Sequence, residues 1–531
     1  MRLEARHREH KQVAKAAGVV GIATLLSRIF GYIRDMVVAA FFGASWVSDA
    51  FFAAFRIPNI MRRLLGEGSL TVSFVPVFTE YLKKKSKEEA LELANIVFTM
   101  LSIVLVILSI VGIIIAPAFV TILAPGFVKT QVQFNLAVFL TRIMFPYIFF
   151  ISLVALCMGI LNSLRHFAAP ALSPVVLNLS MILAILLLRN WFNEPITALA
   201  VGVIIGGILQ LTMQWPFLVK MGVHLRLNFH FRHPGIRQMG ILLIPTFIGS
   251  SVYQINVFIG TILGSLLPKG SLSYLYYADR VVELPLGVFA IAMGTATLPS
   301  FSSLVAQDRM EELKHTITFS LRLILFITIP ASVAIIALRV PILSVLFERG
   351  AFTTQSTVLT AQALLFYTVG LWSFSIIRVI DAVFFAIQDR KSPLKAALAS
   401  LIVNIVASIT LMIPMKHGGL ALATSIASAV NVIILSVIMR HRIGRVLDRQ
   451  FYESLGKIIL SSLVMWMVLS GMEWFLPWQL TGSFRNRLSF LSASVMLGMT
   501  TFLAMSLAVR SPEIVALLNT IRRKFNENQT R

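Results

Sequence analysis

The stretch GVVGIATLLSRIFGYIRDMVVAAFFG, residues 18–43, is long and apolar enough to cross a bilayer, yet it carries two arginines near its middle. At 1.5 Å per residue, Arg28 and Arg34 each lie within roughly 6 Å of the helix midpoint along its axis. A charge at that depth costs on the order of 3 kcal/mol on insertion scales, and such charges usually serve a function. The stretch therefore predicts a membrane helix whose arginines have a task.

The whole chain has the composition of a multi-pass membrane protein. Of its 531 residues, 57% are hydrophobic and 13% are charged, whereas about a quarter of the residues of a soluble domain are charged. Apolar runs of about 20 residues recur and predict an all-α protein with about fourteen transmembrane helices. The predicted spans are 17–42, 49–82, 92–116, 133–160, 170–188, 196–219, 238–264, 272–303, 316–340, 357–387, 393–414, 418–439, 455–476 and 488–509.

The net charge of +23 follows the predicted topology and does not indicate a nucleic-acid partner. Alternate connections carry 29 lysines and arginines, and the opposite set carries 7. The positive-inside rule then places both termini in the cytoplasm, together with the KKKSK stretch at 83–87. The surplus also favours attraction to anionic membrane lipids. The basic N-tail, 1–16, is read either as an amphipathic cytoplasmic segment or as a frayed tail.

Similar stretches recur at a nearly constant offset. FFAAFRIPNI (51–60) resembles YYADRVVEL (276–284) at a shift of 224, and TVSFVPVF (71–78) resembles TATLPSF (295–301) at a shift of 223. This predicts two parallel six-helix lobes related by a pseudo-twofold axis along the membrane normal, plus two C-terminal helices. The predicted parts are the N-tail 1–16, an N-lobe 17–219, a linker 220–237, a C-lobe 238–439, a loop 440–454, helices 13 and 14 at 455–509, and a C-tail 510–531.

Two of the predicted spans, 49–82 and 272–303, are unusual. The first would make a helix of about 50 Å, longer than the roughly 30 Å hydrocarbon core. Prolines and glycines should interrupt both: Pro58, Gly66, Gly68, Pro76, Pro285, Gly287 and Gly294. Interrupted helices at matching positions of two halves are typical of a transporter's binding site. Kinks that arise from packing alone are the other interpretation.

Taken together, the first two helices of the two halves carry more arginines than carboxylates. The excess positive charge must face water or an anion, and the planar guanidinium suits bidentate contact with phosphate. Arg28, Arg34, Arg62 and Arg280 are therefore the candidate substrate-binding residues, for a phosphate-bearing ligand. The alternative is that they form internal ion pairs or extend to the membrane surface.

Three carboxylates are candidates for charge pairing and gating: Asp35, Asp49 and Glu283. Arg280 and Glu283 are three residues apart and share a helix face. Arg28 and Asp35 are seven apart and also share a face, whereas Arg34 points about 120° away unless the helix unwinds at Gly31.

No enzyme site is predicted. The histidines lie beside no nucleophile or carboxylate pair within an apolar segment, and no phosphate-binding glycine-rich loop with its lysine follows a strand. The one cysteine, Cys157, cannot form an intrachain disulfide, and no metal-ligand spacing occurs. The pattern favours a transporter without a bound cofactor.

At these residues the chain resembles the MurJ (MviN) family of bacterial lipid II flippases. The resemblance rests on SRIFGYIRDMVVAAFFGASWVSDAFFAAFRIPNIMRRLLGEGSLTVSFVPVFTEY (27–81), YYADRVVELPLGVFAIAMGTATLPSFS (276–302), FERGAFT (347–353) and FFAIQDRKSP (384–393). It implies the MOP exporter fold with two lobes around a central cavity. It also implies transfer of lipid II between leaflets of the inner membrane by alternating access, for peptidoglycan synthesis.

The resemblance also implies roles for individual residues and partners. Arg28, Arg34, Arg62 and Arg280 would hold the lipid diphosphate, Asp49 and Glu283 would be functionally important, and helices 13 and 14 would form a groove for the polyprenyl tail. Cell-wall synthesis proteins would be partners. One departure concerns sodium, which some relatives bind through acidic residues in helices 7 and 11. Here 238–264 and 393–414 contain no Asp or Glu, so sodium coupling and coupling to membrane potential both stay open.

Other functions remain as alternatives. A flippase for another lipid-linked oligosaccharide would need the same cavity charge. A cation-coupled drug exporter of the same superfamily would want carboxylates in its cavity, and the arginine excess argues against it. An anion channel or a scaffold would not need duplicated halves with broken helices.

Overall fold

The computed structural model describes residues 2–63, 70–475, 478 and 482–515, with side chains outside 2–17 and 244–253. The described residues form helices and the connections between them, and they contain no strand. A helix satisfies its own backbone hydrogen bonds, which is what an apolar chain needs in lipid. Several helices begin with a capping side chain. Ser86, for example, accepts a hydrogen bond from the Glu89 backbone N–H at 3.2 Å, as expected at a helix N-terminus.

The chain forms two compact units, residues 1–272 and 273–531. The helices that lie in the first are α1 (Arg2–Phe42), α2 (Trp46–Met61), α3 (Leu70–Lys84), α4 (Lys87–Ile114), α5 (Ala116–Leu123), α6 (Gln131–Met144), α7 (Tyr147–Ser163), α8 (Ala168–Leu188), α9 (Thr197–Lys220) and α10 (Pro234–Ser265). Helix α1 runs unbroken through the predicted tail boundary and through Gly31.

The described residues of the second unit form ten more helices. These are α11 (Ser271–Pro285), which begins at the boundary, α12 (Ile291–Ala306), α13 (Met310–Ala337), α14 (Arg339–Phe347), α15 (Thr354–Val369), α16 (Leu371–Ala386), α17 (Lys391–Met415), α18 (His417–Ile443), α19 (Arg449–Phe475) and α20 (Phe484–Ala508).

The order and length of the helices repeat along the chain. Helices α4 and α13 begin at 87 and 310, α5 and α14 at 116 and 339, and α6 and α15 at 131 and 354, so each pair is 223 residues apart. Helices α4 and α13 both have 28 residues. Shifts of 224 and 223 relate the sequence stretches, so the predicted internal duplication is confirmed.

The predicted interruptions are present in part, since Pro58, Pro76 and Gly294 lie inside helices. Helix α2 ends at Met61, residues 62 and 63 are π-helical, and α3 begins at Leu70. Gly66 and Gly68 lie outside the described residues. In the matching run 272–303, a π-helical turn at Leu286–Ala290 follows Pro285 and separates α11 from α12. Such turns are frequent at functional sites because they redirect side chains within a helix.

Ten of the predicted spans coincide with helices that are long and apolar enough to cross a membrane, and the bent pair α15–α16 makes an eleventh, within the residues that were described. The other three predicted spans, 17–42, 49–82 and 238–264, fall on α1, on α2 with α3, and on α10. The protein is a multi-pass membrane protein, and its count of fourteen spans stays a prediction.

Helix α10 packs with the first unit, although the sequence analysis places 238–264 in the C-lobe. Gln238 donates a hydrogen bond to Glu80 of α3 at 3.1 Å, and Phe258 packs on a cluster that contains Ile57 and Phe145. Packing groups do not tell which helices move together, so the predicted lobe limits at 219 and 238 remain a prediction.

The last two helices belong to the second unit. Phe326 of α13 packs with Met465 and Leu469 of α19 and with Phe502 of α20. Two ion pairs fasten this hairpin. Arg487 bonds Glu348 at 2.9 Å beside the start of α20, and Glu513, just past its end, bonds Arg322 of α13 at 2.6 Å.

We expect Glu513→Gln to lower the melting temperature of the detergent-solubilised protein, measured by a thermal-shift assay. Glu513 also accepts hydrogen bonds from Ser454 and Ser511 at 2.7 and 2.6 Å. Its side chain is 1% exposed, so the variant leaves the Arg322 charge buried without its counter-ion. Breaking a buried ion pair costs about 3–5 kcal/mol.

The pH dependence gives a second check on this pair. Burial alone would raise the pKa of the Glu513 carboxyl, but hydrogen bonds from Ser511, Ser454 and Arg322 outweigh it and hold the pKa below its usual 4.5. The stabilisation is therefore fully present above pH 4.5 and is lost as the pH falls through the folded-state pKa. The matched control is Glu312→Gln, which breaks an exposed ion pair with Arg309 and should change stability little. Equal effects of both variants would contradict the prediction.

Candidate functional site

The arginines of α1 differ in their surroundings. Arg34 is 8% exposed and Asp35 is 2% exposed, whereas Arg28 is half-buried. The Arg34 Nη2 and Nε atoms both donate to Asp35 Oδ1, at 2.7 and 3.0 Å. Asp35 therefore pairs with an arginine, as predicted, and this arginine is Arg34. The pairing of Asp35 with its chain neighbour was not foreseen, because helical spacing alone aligned Asp35 with Arg28.

Asn178 of α8 completes a polar cluster with these residues. It accepts a hydrogen bond from Arg34 Nη1 at 2.9 Å and donates one to the Ser27 carbonyl at 3.2 Å. Gly31 faces it, since a Cβ there would lie 3.6 Å from the Asn178 side chain. The cluster presents a guanidinium whose charge is offset by one carboxylate. An incoming phosphate oxygen would compete with Asp35 for the same N–H groups.

Arg62 follows the last residue of α2, has helical backbone angles and precedes the undescribed residues 64–69. Its Nη2 and Nε atoms donate to Asn59 Oδ1 at 3.1 and 3.3 Å, and the side chain is half-buried. Arg62 therefore lies where the backbone changes from α-helical to π-helical, a change that is frequent at functional sites.

Asp49 lies in the first turn of α2 and is 3% exposed. Its Oδ2 accepts a hydrogen bond from the Gly270 backbone N–H at 2.6 Å. Gly270 has a φ of +89°, which glycine adopts without strain. The contact fastens the connection 266–270, which leads from α10 to α11.

A second contact holds the end of α10 nearby. The Gly126 N–H donates to Ser265 Oγ at 3.2 Å. A Cβ at Gly126 would come within 1.9 Å of the Ser265 carbonyl oxygen, so this approach requires a glycine. The start of the connection 266–270 is thus fixed by Gly126, which bonds Ser265, and its end is fixed by Asp49, which bonds Gly270.

In α11 the predicted pair is confirmed. Arg280 Nη1 bonds Glu283 Oε2 at 2.7 Å. Arg280 Nη2 also donates to the Tyr276 hydroxyl at 3.2 Å, and its guanidinium lies 5.1 Å from the Tyr276 ring centroid. The Arg280 side chain remains 30% exposed. The π-helical turn begins three residues after Glu283, so this charge pair adjoins the interrupted part of its span.

The sequence analysis missed two parts of these surroundings. Asn178 gives no signal in a charge count, although a polar amide in an apolar run is a clue in itself. Arg378 and Asp381 lie three apart on α16, outside the first two helices of each half, where the search was made. Helix α12 packs closely there, since a Cβ at Gly294 would lie 3.0 Å from the Arg378 carbonyl oxygen.

Comparison with known proteins decides the family. A family profile described as lipid II flippase MurJ matches residues 38–489. The chain belongs to the lipid II flippase MurJ family. A probable lipid II flippase MurJ from Buchnera aphidicola subsp. Acyrthosiphon pisum is 37% identical over 450 residues, which cover 85% of this chain and 88% of that protein.

Solved structures agree with the family. A lipid II flippase MurJ in an inward closed conformation superposes with a TM-score of 0.79 at 30% identity, covering 92% of this chain and 98% of that one. A multidrug resistance MATE transporter of the MOP superfamily, inward-facing, gives a TM-score of 0.64 at 17% identity over 80% of this chain and 98% of that one. The second likeness shows the fold alone. The chain is a membrane transporter of the MurJ family and not an enzyme.

Proposed function

We propose that this protein moves lipid II, the lipid-linked peptidoglycan precursor, from the cytoplasmic to the periplasmic leaflet of the bacterial inner membrane. The observation that carries the proposal is the family match over residues 38–489. The similarity to a curated lipid II flippase over 85% of the chain supports it. The drug-exporter alternative has only a likeness of fold, at 17% identity.

The proposed substrate contact is between the lipid diphosphate and the arginines Arg28, Arg34, Arg62 and Arg280. Two features support this. Side-chain acceptors hold three of the guanidinium groups in defined positions. Arg34 bonds Asp35 and Asn178, Arg62 bonds Asn59, and Arg280 bonds Glu283. These are hydrogen bonds that an anion can exchange, since phosphate is an equally good bidentate acceptor. Asp35 and Glu283 would then be the groups displaced by the ligand.

A leaflet assay with defined lipids tests the function. Purified protein is reconstituted into vesicles with fluorescent lipid II, and dithionite added outside reports the outer-leaflet fraction over time. Protein-dependent transfer of lipid II is expected, with little transfer of fluorescent phosphatidylcholine. A lipid-linked oligosaccharide of different glycan is the second arm. Transfer of that lipid in place of lipid II would replace the proposal with the other flippase.

The proposed orientation places both termini and Lys83–Lys87 in the cytoplasm. In a Cys157→Ser background, we expect Ser86→Cys to resist a membrane-impermeant thiol reagent in intact spheroplasts and to react after permeabilisation. Glu194→Cys, in the opposite set of connections, should react in both. Cys157 is fully buried and is the one cysteine of the sequence. Any labelling in this background therefore comes from the introduced cysteine. Labelling of position 86 from outside would reverse the topology.

A further inference from the structure

The connection between α9 and α10 is an extended strap that lies along α4. Lys87 Nζ, at the start of α4, donates to the Met221 carbonyl at 3.0 Å. The Arg226 N–H donates to Asn95 Oδ1 at 2.9 Å, and the Asn228 N–H donates to Thr99 Oγ1 at 2.7 Å. The three partners on α4 are successively further along that helix. The strap therefore advances along α4 as the chain proceeds from 221 to 228.

The depth of this advance follows from helix geometry. Asn95 and Thr99 lie eight and twelve residues beyond Lys87, which is about 12 and 18 Å along the axis. The chain then returns, since Gly235 at the start of α10 lies against Leu93. The strap thus makes a dip of about 18 Å along α4. The deepest point of this dip is near Asn228. Both backbone N–H groups are bonded by α4 side chains, which irregular backbone requires at membrane depth.

The side chains at the tip of the dip are apolar and exposed. Leu227 is 66% exposed, Phe229 is 64% and Phe231 is 43%. On α4 itself, the exposed apolar residues begin just beyond the tip, with Ile103 at 40% and Val104 at 56%. The tip is therefore level with the edge of the helix surface that faces lipid.

The charges of the strap have one sign. Residues 220–237 contain four lysines and arginines and no Asp or Glu. Arg226 and Arg232, like His224 and His230, are exposed. Apolar side chains interleaved with cationic ones are the pattern of segments that lie in the headgroup region, where apolar groups enter the acyl boundary and cations meet lipid phosphates.

We propose that residues 224–232 form an interfacial anchor, in which Leu227, Phe229 and Phe231 insert into the cytoplasmic leaflet and the flanking arginines bind anionic lipid headgroups. The occupant of this surface is the lipid bilayer and not a protein. The anchor fixes the depth of α4 and hence of the first unit. The proposal depends on the proposed orientation only for the assignment of the anchor to the cytoplasmic leaflet. It does not depend on which substrate is moved.

Site-directed spin labelling tests the anchor in the full-length protein. Leu227→Cys and Phe229→Cys are made in the Cys157→Ser background and reconstituted in nanodiscs of phosphatidylcholine with phosphatidylglycerol. Oxygen partitions into lipid and the nickel chelate remains in water. The relative accessibility of each spin label to the two reagents therefore shows whether lipid or water surrounds it. Gln307→Cys, exposed in another predicted cytoplasmic connection, is the matched control. We expect both strap labels to favour oxygen at a depth of about 5–10 Å, and the control to favour the nickel chelate.

Two results would overturn the proposal. Strap labels that are as accessible to the nickel chelate as position 307 would place the strap in water. Immobile labels reached by neither reagent would mean that protein covers it. A separate variant tests the contribution of charge. Arg226→Gln combined with Arg232→Gln should make the depth of the labels independent of the phosphatidylglycerol content. If the depth still depends on that content, the arginines are not part of the anchor. A failed flipping assay leaves these outcomes readable, because none of them measures transport.

Discussion

Alanine in place of Arg34 should abolish complementation of a strain depleted of its lipid II flippase. The Arg34 guanidinium is buried and donates hydrogen bonds to Asp35 and to Asn178. Its removal takes away a proposed diphosphate ligand and leaves the Asp35 carboxylate buried without this counter-charge. The same loss of growth is expected for alanine at Arg28, Arg62 and Arg280. Colony formation and membrane protein levels, measured together, check the prediction.

Folding and function can be separated at this position. Removing one member of a buried ion pair costs about 3–5 kcal/mol, so we expect Arg34→Ala alone to reduce the amount of protein. Arg34→Ala with Asp35→Asn removes both charges and should restore the protein level but not growth. Restored growth in the double variant would show that Arg34 serves only to neutralise Asp35.

Lysine should replace these arginines poorly. The Arg34 guanidinium bonds acceptors on α1 and on α8 at the same time through its planar fork, and a lysine offers a point charge on a flexible stem. Arg189→Gln is the matched control, because Arg189 stacks on the Phe41 ring at 4.0 Å in the opposite set of connections. It should support normal growth. Full growth of all four alanine variants would remove the arginines from the transport mechanism.

Neutral variants at Asp49 should shift the balance between inward-facing and outward-facing states. Asp49 fastens the connection 266–270 through the Gly270 N–H, and this connection leads from one compact unit into the other. A charge-assisted hydrogen bond in a buried site is worth about 1.5–3 kcal/mol. An equilibrium changes roughly tenfold for each 1.4 kcal/mol when the bond forms in one state only.

Distance measurements between spin labels on loop 43–48 of the first unit and loop 349–353 of the second report this shift. We expect Asp49→Asn, and more strongly Asp49→Ala, to change the populations of the distance distribution while lipid II binding persists. Glu283→Gln should act in the same sense, because it releases Arg280 next to the π-helical turn at Leu286–Ala290. Glu348→Gln breaks an ion pair within the second unit and serves as the control. Unchanged distributions in all Asp49 and Glu283 variants would make both carboxylates static partners.

Much of the fold follows from the sequence because the bilayer imposes simple rules. Apolar length identifies the spans, and Pro285 marks the π-helical interruption that follows it. The constant offset of two motifs already indicates the duplication that the helix order confirms. Local spacing suffices for Arg280 with Glu283, since residues three apart on a helix are neighbours whatever surrounds them.

The sequence by itself thus determined the class of the protein, its repeat, its family and the arginines that set it apart from a passive scaffold. Only the tertiary structure decided where those charges are held. Asn178 meets Arg34 from a helix 144 residues away, and Asp49 meets the backbone of Gly270 across 221 residues. Glu513 and Arg322 are 191 residues apart. Such pairings depend on which helix faces which, and helix periodicity gives no information about a partner on another helix or about a backbone N–H exposed at its end.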